Sequence, residues 1–253
     1  MARDHLYHRE FFEALREHPL GERGWVQHLK NIHDAADAAD AAPSRFVRYL
    51  DRERRCHPSD VWSVTLTGTY RAGHHYKGIF NCKTPFDLHL YSLLLWELKP
   101  RTIIELGSFH GGSALWFADQ LSLLHHGGVV HSFERFAELV SPRAEHPSLT
   151  FHRADLNDLT SLDASLFERL PHPWLVVDDA HANVCNVLRY LDGFAKEGDY
   201  YVIEDITSDF KSERYEEIGQ TVDALNYLVD TSYTDNFGYN LTCAPNGWLR
   251  KMG

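Results

Sequence analysis

The stretch R-T-I-I-E-L-G-S-F-H-G-G-S (101–113) decides the fold of this chain. Its apolar first half is typical of a short buried strand, and the glycine-rich turn leads straight into a predicted helix. Glycines let the backbone approach a ligand, and the helix start offers free N–H donors; the alternative is a turn that binds nothing. Because three residues separate Gly107 from the Gly111-Gly112 pair, the loop differs from the dinucleotide fingerprint G-x-G-x-x-G.

Strands and helices alternate on both sides of this stretch. We predict strands at 101–106, 129–134, 149–155, 173–179 and 199–205, helices at 85–100, 111–124, 181–198 and near 211–230, and a final strand pair around Asn246-Gly247. This alternation predicts an α/β fold, in which a mostly parallel sheet carries helices on both faces. Ligands bind such sheets at the carboxyl ends of the strands, so the functional residues are expected there.

Acidic residues end the second and third of these strands. Glu134 ends the second strand, where a carboxylate can accept hydrogen bonds from both hydroxyls of a ribose. Asp155 ends the third strand and is a candidate partner for the amino group of adenine. A solvated acid at a strand end is the alternative for either residue.

Two further acidic pairs follow the fourth and fifth strands. Asp178 and Asp179 end the fourth strand, with His181 close behind, and Glu204 and Asp205 end the fifth. Acids that converge at one sheet edge repel each other unless a cation or protons intervene, and carboxylate oxygens suit Mg²⁺ better than zinc. Helix capping and a polar turn are the alternative. Because both pairs follow apolar runs on neighbouring strands, we expect a metal site.

Composition argues against several classes of function. The chain has 253 residues, and its 25 Lys and Arg against 36 Asp and Glu give a net charge of −11, which favours neither nucleic acid nor an anionic membrane as a partner. No apolar run is long enough for a membrane helix, and the N-terminus lacks the apolar region of a signal peptide. The 4 cysteines have no zinc spacing. We therefore expect a cytoplasmic protein with reduced thiols.

The first 60 residues differ in character from the rest. Residues 1–60 are polar and charged, with apolar side chains at helical spacing, and they contain D-A-A-D-A-A-D-A-A-P (34–43). This low-complexity stretch is compatible with an exposed helix or with a linker, and we favour a helix that ends before Pro43. We predict an N-terminal helical extension at 1–60, whose helices could form a homo-oligomer, and one α/β domain at 61–253.

Taken together, these motifs resemble the cephalosporin hydroxylase/rhamnosyl O-methyltransferase family. The resemblance rests on I-I-E-L-G-S-F-H-G-G-S-A-L (103–115), V-V-D-D-A-H (176–181), Y-Y-V-I-E-D (200–205), P-F-D-L (85–88) and P-N-G-W-L-R (245–250), and covers residues 80–253. Members are class I S-adenosylmethionine (SAM)-dependent methyltransferases, related to macrolide sugar O-methyltransferases. The resemblance implies the Rossmann-like methyltransferase fold for residues 61–253.

The resemblance also implies a role for each motif residue. SAM would be held by Glu105, Gly107, Ser108, Gly111, Gly112 and Ser113 around its methionine moiety, by Glu134 at the ribose and by Asp155 near adenine. Mg²⁺ or a similar divalent cation would be held by Asp178, Glu204 and Asp205, and His181 would be the base. Asp179 stands where the family usually has a small or polar residue, which leaves two candidates for the first metal ligand. The D-x-x-H spacing favours Asp178.

The implied chemistry is transfer of a methyl group to a hydroxyl. The expected acceptor is a small-molecule glycoside or another hydroxylated compound, most simply a sugar diol of a bacterial natural product, because a diol chelates a cation. N-methylation of an amino sugar is the first alternative, and a non-catalytic SAM-binding or assembly protein is the second. A nicotinamide-dependent oxidoreductase is disfavoured by the loop spacing. In the segment 68–83, His74, His75, Tyr76 and Lys77 either line the acceptor pocket or form a polar loop.

Overall fold

A computed structural model of the protein describes residues 45–52, 75–125, 127–180, 182–206 and 215–253. The strands are β1 (Phe46–Val47), β2 (His75–Tyr76), β3 (Ile79–Phe80), β4 (Thr102–Leu106), β5 (Val129–Glu134), β6 (Leu149–Arg153), β7 (Trp174–Asp178), β8 (Tyr200–Ile203), β9 (Tyr227–Asp230) and β10 (Trp248–Lys251). The helices are α1 (Pro85–Leu98), α2 (Gly112–Leu123), α3 (Ala164–Phe167), α4 (Val184–Asp192), α5 (Tyr215–Ala224) and α6 (Thr231–Thr234). Single-turn 3₁₀ helices lie at Tyr49–Asp51, Ala137–Leu139 and Leu159–Ser161.

Within these described residues, eight strands form one sheet in the order β1-β9-β10-β8-β7-β4-β5-β6, and β2 and β3 form a separate hairpin. The strands from β4 to β8 pair in parallel, whereas β10 is antiparallel to both β8 and β9. The predicted mostly parallel sheet is confirmed. Because β4 lies between β5 and β7, and β8 follows β7, the carboxyl ends of these strands meet at one edge.

Helices cover both faces of the sheet, as predicted. Side chains alternate along a strand, so Ile103 of β4 packs on one face with the apolar residues of α1 and α2. Its neighbours Ile104 and Leu106 pack on the other face with those of α4 and α5. Among the helices that the structure describes, none has both the length and the apolar character of a membrane-spanning segment.

The start of α1 follows directly from its sequence. Thr84 caps the helix, since its side chain accepts a hydrogen bond from the backbone N–H of Asp87, and Pro85 occupies the first helical position. Lys99, in the left-handed conformation with φ 51°, ends the helix one residue before Pro100. These contacts fix the position of the residues immediately before the helix, which matter for the site.

Two predicted elements at the C-terminal end differ in extent from the structure. The helix expected near 211–230 ends at Ala224, and Tyr227–Asp230 forms β9 instead, because its backbone pairs with β1 on one side and β10 on the other. The pair expected around Asn246-Gly247 has one strand only, β10, because the described residues before the turn form a buried polar network around Asn240, Thr242 and Asn246.

The described part of the predicted N-terminal extension is residues 45–52. These residues contribute β1 to the sheet, at its edge beside β9, and a 3₁₀ turn with the fully buried Tyr49. The helices predicted for residues 1–44 and the boundary near residue 60 lie outside the described residues, and they stay predictions.

Candidate active site

A cleft of about 480 Å³ opens at the carboxyl ends of the parallel strands. Of the residues predicted from the sequence, Gly107, Glu134, Asp155, Glu204 and Asp205 line it. Much of the remaining lining is apolar, from Phe109, Phe133, Phe136, Leu139, Ala154 and Leu156. A largely apolar cleft with a few convergent polar groups is typical of a small-molecule site.

The glycine-rich loop forms the floor of the cleft between β4 and α2. Gly107 has φ 96°, and a Cβ there would lie 3.0 Å from the backbone of Asp179 and Ala180. Glycine is therefore needed where the ends of β4 and β7 approach each other. Gly111 has φ 79°, and a Cβ on Gly112 would lie 2.2 Å from the carbonyl oxygen of Phe80. These last two glycines are buried against the chain itself and do not line the cleft.

Glu105, Ser108 and Ser113, predicted to contact SAM, lie beneath the cleft rather than in it. Glu105 is fully buried, and its Oε2 accepts a short hydrogen bond from Ser132 of β5. The hydroxyl oxygens of Ser108 and Ser132 lie 2.5 Å apart. Burial raises the pKa of Glu105. These side chains therefore support the loop from its buried side. Gly107 and Phe109 are the loop residues that line the cleft.

Glu134, at the end of β5, is held by two backbone donors. Its Oε2 accepts from the N–H of Phe109 at 2.9 Å, and its Oε1 accepts from the N–H of Phe136 at 3.0 Å. Each carboxylate oxygen can accept more than one hydrogen bond, so the group is oriented and still able to bind hydroxyls.

Asp155 lies on the neighbouring strand end and forms an ion pair with Arg135. The Nε of Arg135 is 3.1 Å from the Oδ2 of Asp155, and the backbone and side chain of Asn157 donate to its Oδ1. The hydrogen bonds from Asn157, together with the Arg135 charge, lower the pKa of Asp155, which therefore remains ionised as an acceptor. Neither Arg135 nor Asn157 was predicted, because strand-end patterns do not mark the loop residues that follow.

The structure distinguishes the two adjacent aspartates. Asp178, the last residue of β7, is fully buried, and its Oδ2 accepts a hydrogen bond of 2.8 Å from the hydroxyl of Tyr201. Asp179 lines the cleft with Glu204 and Asp205. Of the two aspartates, Asp179 therefore lines the cleft, and metal ligation by Asp178, which the D-x-x-H spacing favours, stays a prediction. His181, the predicted base, lies outside the described residues.

A lysine that was not predicted lies among these acids. The Nζ of Lys83 donates to Oδ2 of Asp179 at 2.7 Å and to Oε2 of Glu204 at 2.5 Å, and the hydroxyl of Tyr91 donates to Oε1 of Glu204 at 2.5 Å. Burial acts to lower the pKa of Lys83, but the carboxylates of Asp179 and Glu204 raise it well above its ordinary value. Lys83 is therefore a fixed cation and not a base. Its sequence signal was only its place directly before the α1 cap.

The donors at this end of the cleft fit a hard divalent cation in type. Asp179, Glu204 and Asp205 offer carboxylate oxygens, the preferred ligands of Mg²⁺. In the part of the chain that the structure describes, however, no three His, Cys, Asp or Glu side chains are grouped as a metal-binding cluster. The ammonium of Lys83 instead lies between two of the carboxylates.

The hairpin β2–β3 does not line the cleft. Its Lys77 forms an ion pair of 2.6 Å with Asp119 of α2, and neither His75 nor Tyr76 reaches the cleft. Of the two alternatives left open for these three residues, the structure therefore supports the one in which they do not line the cleft, and His74 lies outside the described residues. Among the described residues of the same segment, Cys82 lines the cleft, and Phe80 packs against Phe109 with ring centroids 6.1 Å apart.

Comparison with known proteins relates this geometry to enzymes. Rhamnosyl O-methyltransferase of Mycobacterium tuberculosis is 28% identical over 206 residues, which is 75% of this chain and 79% of that protein. The Mycobacterium leprae protein of the same name is 27% identical over 205 residues, covering 75% of this chain and 84% of its own.

Solved structures of CmcI share the fold. An apo structure of CmcI aligns with a TM-score of 0.65 and 28% identity, over 80% of this chain and 87% of that one. A Mg-SAM structure of CmcI aligns with a TM-score of 0.64 and 30% identity, over 80% and 88% of the two chains. The family model described as rhamnosyl O-methyltransferase/CmcI matches residues 68–252. The predicted resemblance and the predicted enzyme class, a SAM-dependent methyltransferase, are confirmed. The chain belongs to the rhamnosyl O-methyltransferase/CmcI family.

Proposed function

We propose that this chain is a metal-assisted O-methyltransferase that transfers a methyl group from SAM to a sugar hydroxyl of a bacterial natural product. A rhamnosyl glycoside is the first acceptor to test, because relatives of the chain are rhamnosyl O-methyltransferases. The observation that carries the proposal is a single cleft with a different set of acidic residues at each of its two ends. Glu134 and Asp155 lie on one side of β4, and Asp179, Glu204 and Asp205 lie on the other.

The Glu134 end suits the nucleoside of SAM. Glu134 is oriented by two backbone donors and can accept hydrogen bonds from the two ribose hydroxyls. Asp155 can accept from the amino group of adenine, and the half-exposed rings of Phe109 and Phe136 offer apolar surface to a planar base. Gly107 leaves the floor of the cleft free of a side chain, so the methionine moiety can lie over the loop.

The Asp179 end suits the acceptor and a divalent cation. Asp179, Glu204 and Asp205 would hold the cation, and one solved structure in the family is a Mg-SAM complex. Such a cation, when bound, supplies Lewis-acid stabilisation to an alkoxide that develops on the acceptor.

The chain's own contribution to the reaction is alignment and proton removal. Holding donor and acceptor in one cleft at a reactive distance can lower the barrier by about 7–11 kcal/mol. An aliphatic hydroxyl must also lose its proton, and a positioned histidine typically contributes about 10²–10⁴ in rate. We assign that step to His181, two residues after Asp179 in the sequence. His181→Ala is expected to abolish transfer while SAM affinity stays unchanged, and near wild-type transfer would refute this role.

Chelation and two neighbouring substitutions test the metal-assisted reaction. With SAM and a methyl rhamnoside, mass spectrometry is expected to detect a product heavier by one methylene, and EDTA should stop its formation. Asp179→Asn is expected to lower metal affinity and rate at least about ten-fold. Asp178→Asn is the matched control, since Asp178 faces Tyr201, and it should keep the metal affinity within about two-fold.

Four outcomes would contradict the proposal. Full activity in EDTA would refute metal assistance, and a larger loss in Asp178→Asn than in Asp179→Asn would refute the assignment of the cleft-facing acid. Methylation of an amino sugar in preference to the rhamnoside would indicate an N-methyltransferase. Tight SAM binding without transfer to any acceptor would indicate a non-catalytic SAM-binding protein.

A further inference from the structure

Lys83 is almost completely buried at the acidic end of the cleft. Its side chain is 2% exposed, and its ammonium is shared between Asp179, which follows β7, and Glu204, which follows β8. Two like-charged carboxylates on neighbouring strands repel each other when little water surrounds them. A buried cation that hydrogen-bonds both of them removes this repulsion and fixes their separation.

Three residues spaced four apart along the chain support the Glu204–Asp205 turn, two of them directly and one through residues 242–243. Lys83 and Tyr91 donate to different oxygens of Glu204. Between them in sequence, Asp87 accepts hydrogen bonds from the hydroxyl of Thr242 and the N–H of Cys243. The carbonyl of Cys243 in turn accepts from the N–H of Asp205 at 2.6 Å. One end of α1 therefore holds the side chain of Glu204 and, through Cys243, the backbone of Asp205.

The backbone of Asp205 needs this support. Asp205 has φ 55°, a left-handed conformation that an L side chain adopts only at an energetic cost. Such a conformation persists where surrounding contacts enforce it, and here the contacts come from the cap region of α1 and from the 242–243 segment. Asp205 lines the same cleft as Asp179 and Glu204.

We propose that Lys83 is a positioning residue for methyl transfer: its ammonium holds Asp179 and Glu204 together in the cleft, and it would remain there when these acids hold a divalent cation. This inference rests on the proposed function, because it assumes that these acids serve the reaction. In the opposing model, the ammonium of Lys83 occupies the position of the divalent cation and must leave before that cation can bind. The two models predict metal affinities that change in opposite directions when the charge of Lys83 is removed.

The test uses the full-length chain and Mn²⁺ as the metal probe. Lys83→Met removes the charge with little change in length, and Lys77→Met is the matched control, because Lys77 forms an ion pair with Asp119 away from the cleft. We expect Lys83→Met to weaken Mn²⁺ binding, followed by electron paramagnetic resonance, by about 10–100-fold, as loss of an outer-shell partner typically does. The SAM dissociation constant, measured by calorimetry, should stay within about two-fold, which also reports that the variant is folded.

A second measurement separates positioning from general structural support. Lys83→Ala leaves space for a small ammonium ion, so ethylammonium should restore at least about a third of the lost kcat, whereas tetramethylammonium at equal ionic strength should not. Tighter or unchanged Mn²⁺ binding in Lys83→Met would overturn the inference, and so would the absence of rescue. A wild type that methylates the rhamnoside without binding Mn²⁺ would refute the proposed metal site and not the role of Lys83. In that case, Lys83→Met must still lower kcat at least about ten-fold at unchanged SAM affinity, and an unchanged kcat would overturn the inference.

Discussion

Gly112→Ala tests why the glycine-rich loop has its composition. Gly112 is the first residue of α2, and a Cβ there would lie 2.2 Å from the carbonyl oxygen of Phe80, 2.8 Å from its carbonyl carbon and 3.1 Å from the Cα of Asn81. All three atoms belong to the backbone, so no side chain can rotate away. Relief of the contact requires β3 and the start of α2 to separate by roughly 1 Å.

The expected cost of this substitution follows from the geometry. Overpacking of a tight site typically costs about 1–3 kcal/mol, and we expect the upper end, because backbone must move on both sides. The higher helix propensity of Ala offsets about 1 kcal/mol of this. The net loss of about 2 kcal/mol in the free energy of unfolding should lower Tm by roughly 4–8 °C in a chain of this size.

Thermal unfolding followed by circular dichroism measures this loss. Gly193→Ala is the matched control, since Gly193 has φ −59° and its nearest atom to an added Cβ is the carbonyl oxygen of Tyr190, at 3.3 Å. The Tm of Gly193→Ala should lie within about 1 °C of the wild-type Tm or above it, because alanine lowers the conformational entropy of the unfolded chain. If Gly112→Ala melts within 1 °C of the wild type, the packing argument is wrong. An equal loss of Tm in Gly112→Ala and Gly193→Ala would mean that a reason other than the contact with Phe80 requires glycine at each position.

Two other predictions concern the SAM end of the cleft and the pH dependence of stability. Glu134→Gln should raise the SAM dissociation constant by about 10–100-fold, because hydrogen bonds to a charged acceptor contribute about 1.5–3 kcal/mol. Glu138→Gln is the control, because Glu138 is exposed. If calorimetry gives the two variants equal affinities for SAM, the assignment of Glu134 to the ribose is contradicted. Burial, with His152 2.8 Å away, lowers the pKa of His131 to about 4, so the unfolded chain binds a proton near pH 6.5 that the folded chain does not. The free energy of unfolding should therefore fall by about 1–2 kcal/mol, after allowance for partial exposure, as the pH drops from about 6.5 to 4. In urea titrations at pH 7 and pH 4.5, His131→Gln should lack the part of this decrease that His131 causes. A decrease identical to that of the wild type would refute the role of His131.

Local patterns predicted much of the fold. The apolar runs that became β4, β5 and β7, and the span of α1, were predicted close to their observed bounds, because these signals lie within a few residues of each other. Tyr227–Asp230 was not identified as a strand. Its strand conformation depends on hydrogen bonds to β1 and β10, which come from distant parts of the chain and leave no local signal.

The sequence by itself determined the order of the parallel strands and the helices between them, and therefore the sheet edge where Glu134, Asp155 and Glu204 would meet. Periodicity and turn residues are sufficient for that result, since the carboxyl ends of parallel strands lie on one side. Only the tertiary structure decided that Asp179 faces the cleft while Asp178 is buried against Tyr201. It also brought Lys83 to Glu204, from 121 residues away in the chain. Such contacts depend on how α1 packs beside β8, and the charge that neutralises a buried acid cannot be identified before that packing is known.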